Sequence, residues 1–343
     1  MSENVNNAEK LKINVKTIKK RYFDNNTKIG HFIRSTEFGT LVALFTLIVF
    51  TIIMNPRFLS LYNLQTIGQQ WAVYALLAIG EVFVIVIGGG AVDLSLGGIA
   101  AFSGVLVSML IVNYHIQPLL AIILVLLISS GWGLWHGLAM TKLNVPPFIT
   151  TLGTFAIATG LSEVLTKGWP VVGLPNSFEY IGTANFLYIP VSVVILLIIA
   201  IIAIFFFHHT IYGLYLKAIG SNVEAARNVG INVVSLRTFT FIFSAFLGGL
   251  VGIIVAARLG EGQPDIGGMY ALYGIAAAVM GGTALTGGIG SIYGALIGAG
   301  IIVAIWNALV MMGISSLWTN VVLGIVIVAA VSFDVLRHGL KKG

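Results

Sequence analysis

Apolar residues run along this chain in ten blocks, at about 38–54, 66–87, 95–112, 118–140, 147–166, 188–207, 238–257, 270–283, 291–312 and 317–335, each bounded by polar, Gly or Pro positions. A helix needs about 20 apolar residues to cross the ~30 Å of bilayer hydrocarbon. Backbone polar groups in lipid must be satisfied within the segment, so runs of this length predict helices rather than open strands. The pattern predicts an all-α polytopic membrane protein of about ten transmembrane helices with Gly-rich breaks. Two runs fit less well: 270–283 is short for a crossing, and 66–87 ends in glycines. Both are open to reading as half-helices or re-entrant segments.

Composition sharpens the class. Apolar residues make up 58% of the 343 positions and charged ones only 9%, against about 25% charge in soluble domains, which leaves no room for a globular catalytic domain. With no cysteine, thiolate catalysis, disulfides and Cys-ligated metal centres are excluded. The first 36 residues hold 8 of the 18 basic positions, from Lys10 to Arg34. This tail is too long and basic for a signal-peptide n-region, and no small-x-small site follows it, so the first run is expected to be an uncleaved span. Next to a span, such a tail is read as a topological signal with attraction to anionic lipid, not as a nucleic-acid arm. If all ten runs cross, 15 of the 18 basic residues share one side. Both termini are then cytoplasmic, and the chain divides into a tail (1–36), a transmembrane domain (37–336) with a cytoplasmic loop at 208–237, and a cytoplasmic end (337–343).

Many of the 41 glycines lie inside apolar runs, where small residues let helix backbones approach. Two clusters combine glycine with Ser or Thr and a helix break. They contain Gly88, Gly89, Asp93, Ser95 and Gly97 in one half of the chain, and Gly281, Gly282, Thr283, Thr286 and Gly287 in the other. They form a weak internal repeat. Gly-interrupted segments at matching positions of two halves point to a transport pathway, while tight turns at the membrane surface would also explain them.

Glu81, Asp93 and Glu163 are the acids within or beside the runs, and a carboxylate in lipid is costly enough to need a role or a partner. Asp93 opens a run and is expected to cap its backbone N–H groups. His208 and His209 are adjacent, so they diverge by about 100° on a helix and do not share a metal ion comfortably. Trp71, Tyr74, Phe155, Trp306 and Asn307 either line a sugar path or pack. Arg258, Glu261 and Asp265 form a charged cluster in an external loop.

The longest expected cytoplasmic connection spans 211–232. Within it Ser221-x-x-Glu224 fits a capping box, Ala225 and Ala226 are good helix formers, and Gly230 fits the left-handed position that ends a helix. A helix of about two turns is predicted. Alone it is too short to be stable in water, so one face is expected to rest on the membrane domain and the other to meet a partner.

"LKAIGSNVEAARNVGINV" around this turn resembles the coupling segment of binding-protein-dependent ABC importers, and of their ribose-type sugar permeases in particular. "GGGAVDLSLGG", "NVPPFITTLGT" and "AAAVMGGTALTGGIGSIYGALIGA" resemble further motifs of that family in the same order, over about residues 60–335. One departure is an extra residue, with Gly90-Ala91-Val92 where the family has Gly-Ile before the Asp. The resemblance implies a transmembrane subunit that forms the pathway for a sugar or sugar-like solute. It also implies an ATP-binding subunit inside, a solute-binding protein outside and a second permease chain, identical or related. By resemblance Gly220, Glu224, Ala225, Ala226 and Gly230 carry the contact to the ATP-binding subunit. No G-x-x-x-x-G-K-[ST] occurs, so this chain is expected to be no enzyme and to carry no cofactor or metal, ATP and Mg2+ belonging to the partner. The rivals are an ion-coupled secondary transporter using the three acids, and a permease of the same superfamily for nucleosides or branched-chain amino acids.

Overall fold

The computed structural model describes residues 36–315, 318, 321–326, 328–329 and 332. The basic tail to residue 35, the segment 337–343 and much of the tenth apolar run lie outside the described residues. The elements are α1 (Thr36–Met54), a 3-10 turn (Pro56–Leu59), α2 (Leu61–Val86), α3 (Leu96–Val112), α4 (Pro118–Lys142), α5 (Pro147–Thr166), β1 (Val171–Val172), α6 (Asn176–Thr183), β2 (Asn185–Phe186), β3 (Ile189–Pro190), α7 (Val191–His209), α8 (Ile211–Ser221), α9 (Val223–Asn228), α10 (Val233–Leu259), β4 (Glu261–Gly262), α11 (Tyr270–Met280) and α12 (Ile292–Met311).

Among the described residues seven helices are long and apolar enough to cross a membrane: α1, α2, α4, α5, α7, α10 and α12. The run at 66–87 belongs to one unbroken helix of 26 residues, so it is neither a half-helix nor re-entrant. The glycines that end it start a turn outside the helix. The run at 270–283 yields only the 11 residues of α11, and the run at 95–112 the 17 of α3.

α2 and α10 form the buried centre. Their neighbours come close because α10 presents glycine where other helices arrive. A methyl group on Gly252 would fall 2.1 Å from the Ala100 carbonyl oxygen of α3, and one on Gly249 2.3 Å from Ser129 Oγ of α4. Dispersion at such short range holds helices together where lipid supplies no hydrophobic drive. α1, by contrast, turns Phe45, Phe50 and Ile53 outward, as a lipid-facing helix does. Asn63 and Asn307 exchange amide hydrogen bonds of 3.2 and 2.7 Å between α2 and α12, which satisfies both buried side chains.

The two short helices make an inverted pair. Gly248, Gly252 and Gly262 lie beside Leu96, Ala100 and Ser108 in the same order, so α3 runs parallel to α10. Tyr74 meets Tyr270, and Leu77 and Glu81 meet Gly274, so α11 runs parallel to α2. α2 and α10 are themselves antiparallel, with Gln70 beside Arg258 and Gly80 beside Ser244. α3 and α11 therefore start near one point and diverge. At that point Gly97 and Gly267 touch through their backbones, each leaving no room for a methyl group on the other. At 1.5 Å per residue they extend about 26 and 17 Å, the second little more than half the bilayer core.

At the end of the molecule where α10 finishes, a small cap closes over the helices. β1 pairs antiparallel with β4, β2 with β3, and α6 packs across the end of α10. The opposite end carries α8 and α9.

Candidate functional site

The expected coupling segment forms an elbow. Thr210 separates α7 from α8, and Asn222 separates α8 from α9. The cap differs from the expected box: Asn222 Oδ1 accepts the Ala225 N–H at 3.0 Å, while Ser221 Oγ donates back to the Lys217 carbonyl. Asn222 has the extended backbone (φ −160°) that a cap needs, whereas Ser221 completes the last turn of α8. Gly230 ends the elbow at φ +85°, a conformation that costs other residues 1–2 kcal/mol.

The elbow is asymmetric. Ala226 is buried against Ile219 and Val233, while Glu224, Ala225, Arg227 and Val229 are exposed. Ala226 thus faces the chain's own α8 and α10. Lys217, on α8, lies 4.7 Å above the Phe207 ring, and partial burial holds its ammonium below the usual lysine pKa.

Beneath the elbow the two Gly-rich clusters meet. A methyl group on Gly220 would fall 1.9 Å from the Val86 carbonyl oxygen and 2.4 Å from the Gly288 nitrogen, and one on Gly287 2.4 Å from the Gly88 Cα. The Gly288 N–H donates to the Val86 carbonyl at 2.9 Å, so the last turn of α2 is satisfied by a residue from the other half of the chain. Gly88, Gly89, Gly282, Gly287 and Gly288 all have φ between +70° and +93°, which only glycine adopts freely. Gly88, Gly281 and Gly287 are therefore contact points between backbones rather than open lining, Gly281 being pressed on Gly294. Gly89 faces outward near Arg237, Thr286 is exposed, and Thr283 is buried.

From Gly90 the chain turns back toward the middle of α2 and delivers Asp93 to Glu81, both fully buried. The Asp93 N–H donates to Glu81 Oε2 at 3.3 Å. Asp93 Oδ1 accepts from the Ser95 amide at 3.1 Å and from its hydroxyl, and Oδ2 accepts from Ser244 Oγ at 2.7 Å. One carboxylate thus opens α3 and ties it to α10. Glu81 Oε1 and both ring nitrogens of His136 are buried without a hydrogen-bond partner among the described residues. Glu163 is exposed at the far end of α5 and stands apart from this group. Among the described residues no cluster of three or more His, Cys, Asp or Glu forms a metal site.

Sequence reasoning singled out Gly88, Gly220 and Gly287 separately and had no means of joining them. It left out Val86 and Gly267, because a carbonyl made available to a distant amide, or a lone glycine in a loop, gives no local pattern.

The comparisons with known proteins accord with this architecture. Residues 63–331 match the family model described as branched-chain amino acid transport system / permease component. The ribose import permease protein RbsC of Bacillus subtilis is 40% identical over 300 residues, covering 87% of this chain and 92% of its own. The corresponding protein of Haemophilus influenzae is 38% identical over 90% of this chain and 96% of its own. The galactose/methyl galactoside import permease protein MglC of Escherichia coli is 31% identical over 89% and 96%. No solved structure matches. With more than half its length matched, and relatives of this similarity across nearly their whole length, the chain belongs to the family of these permease components.

Proposed function

We propose that this chain is the transmembrane subunit of an ABC importer and forms the translocation pathway for a sugar or sugar-like small solute. ATP is hydrolysed by a separate subunit that docks on the α8–α9 elbow, and a solute-binding protein delivers cargo at the capped end. Two permease chains, identical or related, complete the complex in the cell membrane. With about ten spans, both termini and the elbow lie in the cytoplasm.

The observation that carries this reading is the elbow's construction. Its exposed face is free for a partner, and its root is the point where both Gly-rich breaks and the end of α2 share backbone contacts. A push on α9 is therefore carried by Gly220 of α8 to the end of α2 and to the break before α12. Through Asp93 it also reaches the start of α3, giving a contiguous route from partner to pathway. Packed glycine backbones have no side chains to yield, so the displacement passes on instead of being absorbed.

Affinity isolation of the tagged chain from mild detergent tests the reading. An ATP-binding subunit should co-purify and be lost on replacing Glu224 or Val229 with a bulky residue of opposite character. A chain that purifies alone and transports alone in liposomes, driven by an ion gradient, would replace this reading with the secondary transporter. Reporters fused after Lys142 and within 170–185 should lie on opposite sides, the first cytoplasmic and the second external; the reverse result breaks the topology.

A further inference from the structure

Between the cap and the meeting point of α3 and α11 lies a polar and aromatic cluster that the coupling route does not use. Arg258, in the last turn of α10, donates from Nη1 to Gln70 Oε1 at 3.1 Å rather than to a carboxylate. Gln70 lies one helical turn before the buried Tyr74 on α2. The Tyr74 ring lies 6.2 Å, edge on, from Tyr270 and 5.0 Å from Tyr273. The α6 cap roofs this cluster, since Gln69 Nε2 donates to the Gly182 carbonyl at 3.2 Å and Gly182 is pressed on the Arg258 backbone. The contact between Gly97 and Gly267 lies three residues before Tyr270 and closes the other side.

We propose that Gln70, Tyr74, Tyr270 and Arg258 form an intramembrane contact station for the hydroxyl groups of the transported sugar, between the α6 cap and the Gly97–Gly267 constriction. This deepens the importer reading and rests on it. The chemistry fits a polyol. A guanidinium offers only donors, while the amide and phenols both donate and accept, so vicinal hydroxyls of either orientation find partners. The tyrosine rings give the carbon face of a sugar a flat apolar surface that still carries a polar tip. The four groups come from three helices, and the Arg258–Gln70 pair can exchange its hydrogen bond for bonds to sugar hydroxyls.

The test is ATP-driven uptake by the complete importer in proteoliposomes, with D-ribose and 2-deoxy-D-ribose as probes and the same binding protein throughout. A site that hydrogen-bonds a hydroxyl rejects the analogue lacking it. Tyr74→Phe, Tyr270→Phe and Gln70→Leu should each lower the preference for ribose over deoxyribose, by about fivefold or more in at least one variant. The Phe variants keep the rings and the packing, so a loss of preference in them reads the hydroxyl and not the fold. Preference ratios equal to the unaltered complex in all three, whether or not total uptake falls, would overturn the station. Uptake by the unaltered complex that follows an ion gradient and does not require ATP would overturn the importer reading itself, and the station with it.

Discussion

The two Gly-rich breaks look like copies in the sequence and do opposite things in the structure. The break at 88–98 carries the chain back from the end of α2 to its middle and places a buried carboxylate at the start of α3. The break at 281–290 stays at the elbow end and turns α11 into α12, giving one amide to α2. The structural counterpart of the first break is instead the 263–269 segment, which reaches the Gly97 backbone and starts α11. Similar composition reports a need for tight backbone contact, not the same position in a repeat.

Substitutions sharpen that contrast. The largest effect is expected at the shared root: Gly220→Val places branched carbon against the Val86 carbonyl and the Gly288 amide, neither of which is a flexible side chain. It should destabilise the chain by at least about 3 kcal/mol and abolish uptake; a melting temperature in detergent equal to the parent's would remove the junction from the mechanism. Gly97→Ala should cost about 2 kcal/mol because Gly267 lies in the way, whereas Gly268, with nothing within 4 Å, should accept Ala within about 0.5 kcal/mol. Equal thermal shifts for these two would dissolve the inverted pair.

Next comes the carboxylate pair. Asp93→Asn puts N–H groups where one carboxylate oxygen accepts, either from the Ser244 hydroxyl or from the Ser95 amide and hydroxyl, costing about 2 kcal/mol. Glu81→Gln retains an oxygen for the Asp93 amide and should cost less than about 1 kcal/mol. Denaturation of the two variants in parallel reads the difference, and a larger loss at Glu81 would show that Glu81 holds the break instead. The smallest effect belongs to the elbow's outer helix. Asn222→Ala removes the α9 cap and should loosen α9 by about 1 kcal/mol, seen as faster hydrogen exchange at the Ala225 amide while the overall melting temperature stays within a degree or two.

The spans were legible in the sequence because apolarity over about 20 residues is decided by lipid and not by neighbours. Gly230 was legible for a similar reason, its left-handed turn being a local matter. The α6 cap and the helix α8 were not, since 176–183 and 211–221 are only 8 and 11 residues long, too short to form alone, and are held by tertiary contact. Ser221 was mistaken for a cap because the pattern Ser-x-x-Glu does not reveal that Asn222, one residue on, is the first with extended backbone. The glycine junction was visible as residue types and invisible as a place. Nothing near Gly88 says that residues from two later segments complete it.

That completion has a consequence for how the protein is made. The Val86 carbonyl receives its amide from Gly288, roughly 200 residues downstream, and chains are synthesised at about 5–20 residues per second. For about 10 to 40 s the nascent protein holds α2 in the membrane with its end unfinished. During that interval a ribosome that stalls, or a truncated message, leaves an exposed acceptor and an unfilled notch that the finished protein lacks. The junction therefore closes only in chains that extend past residue 288.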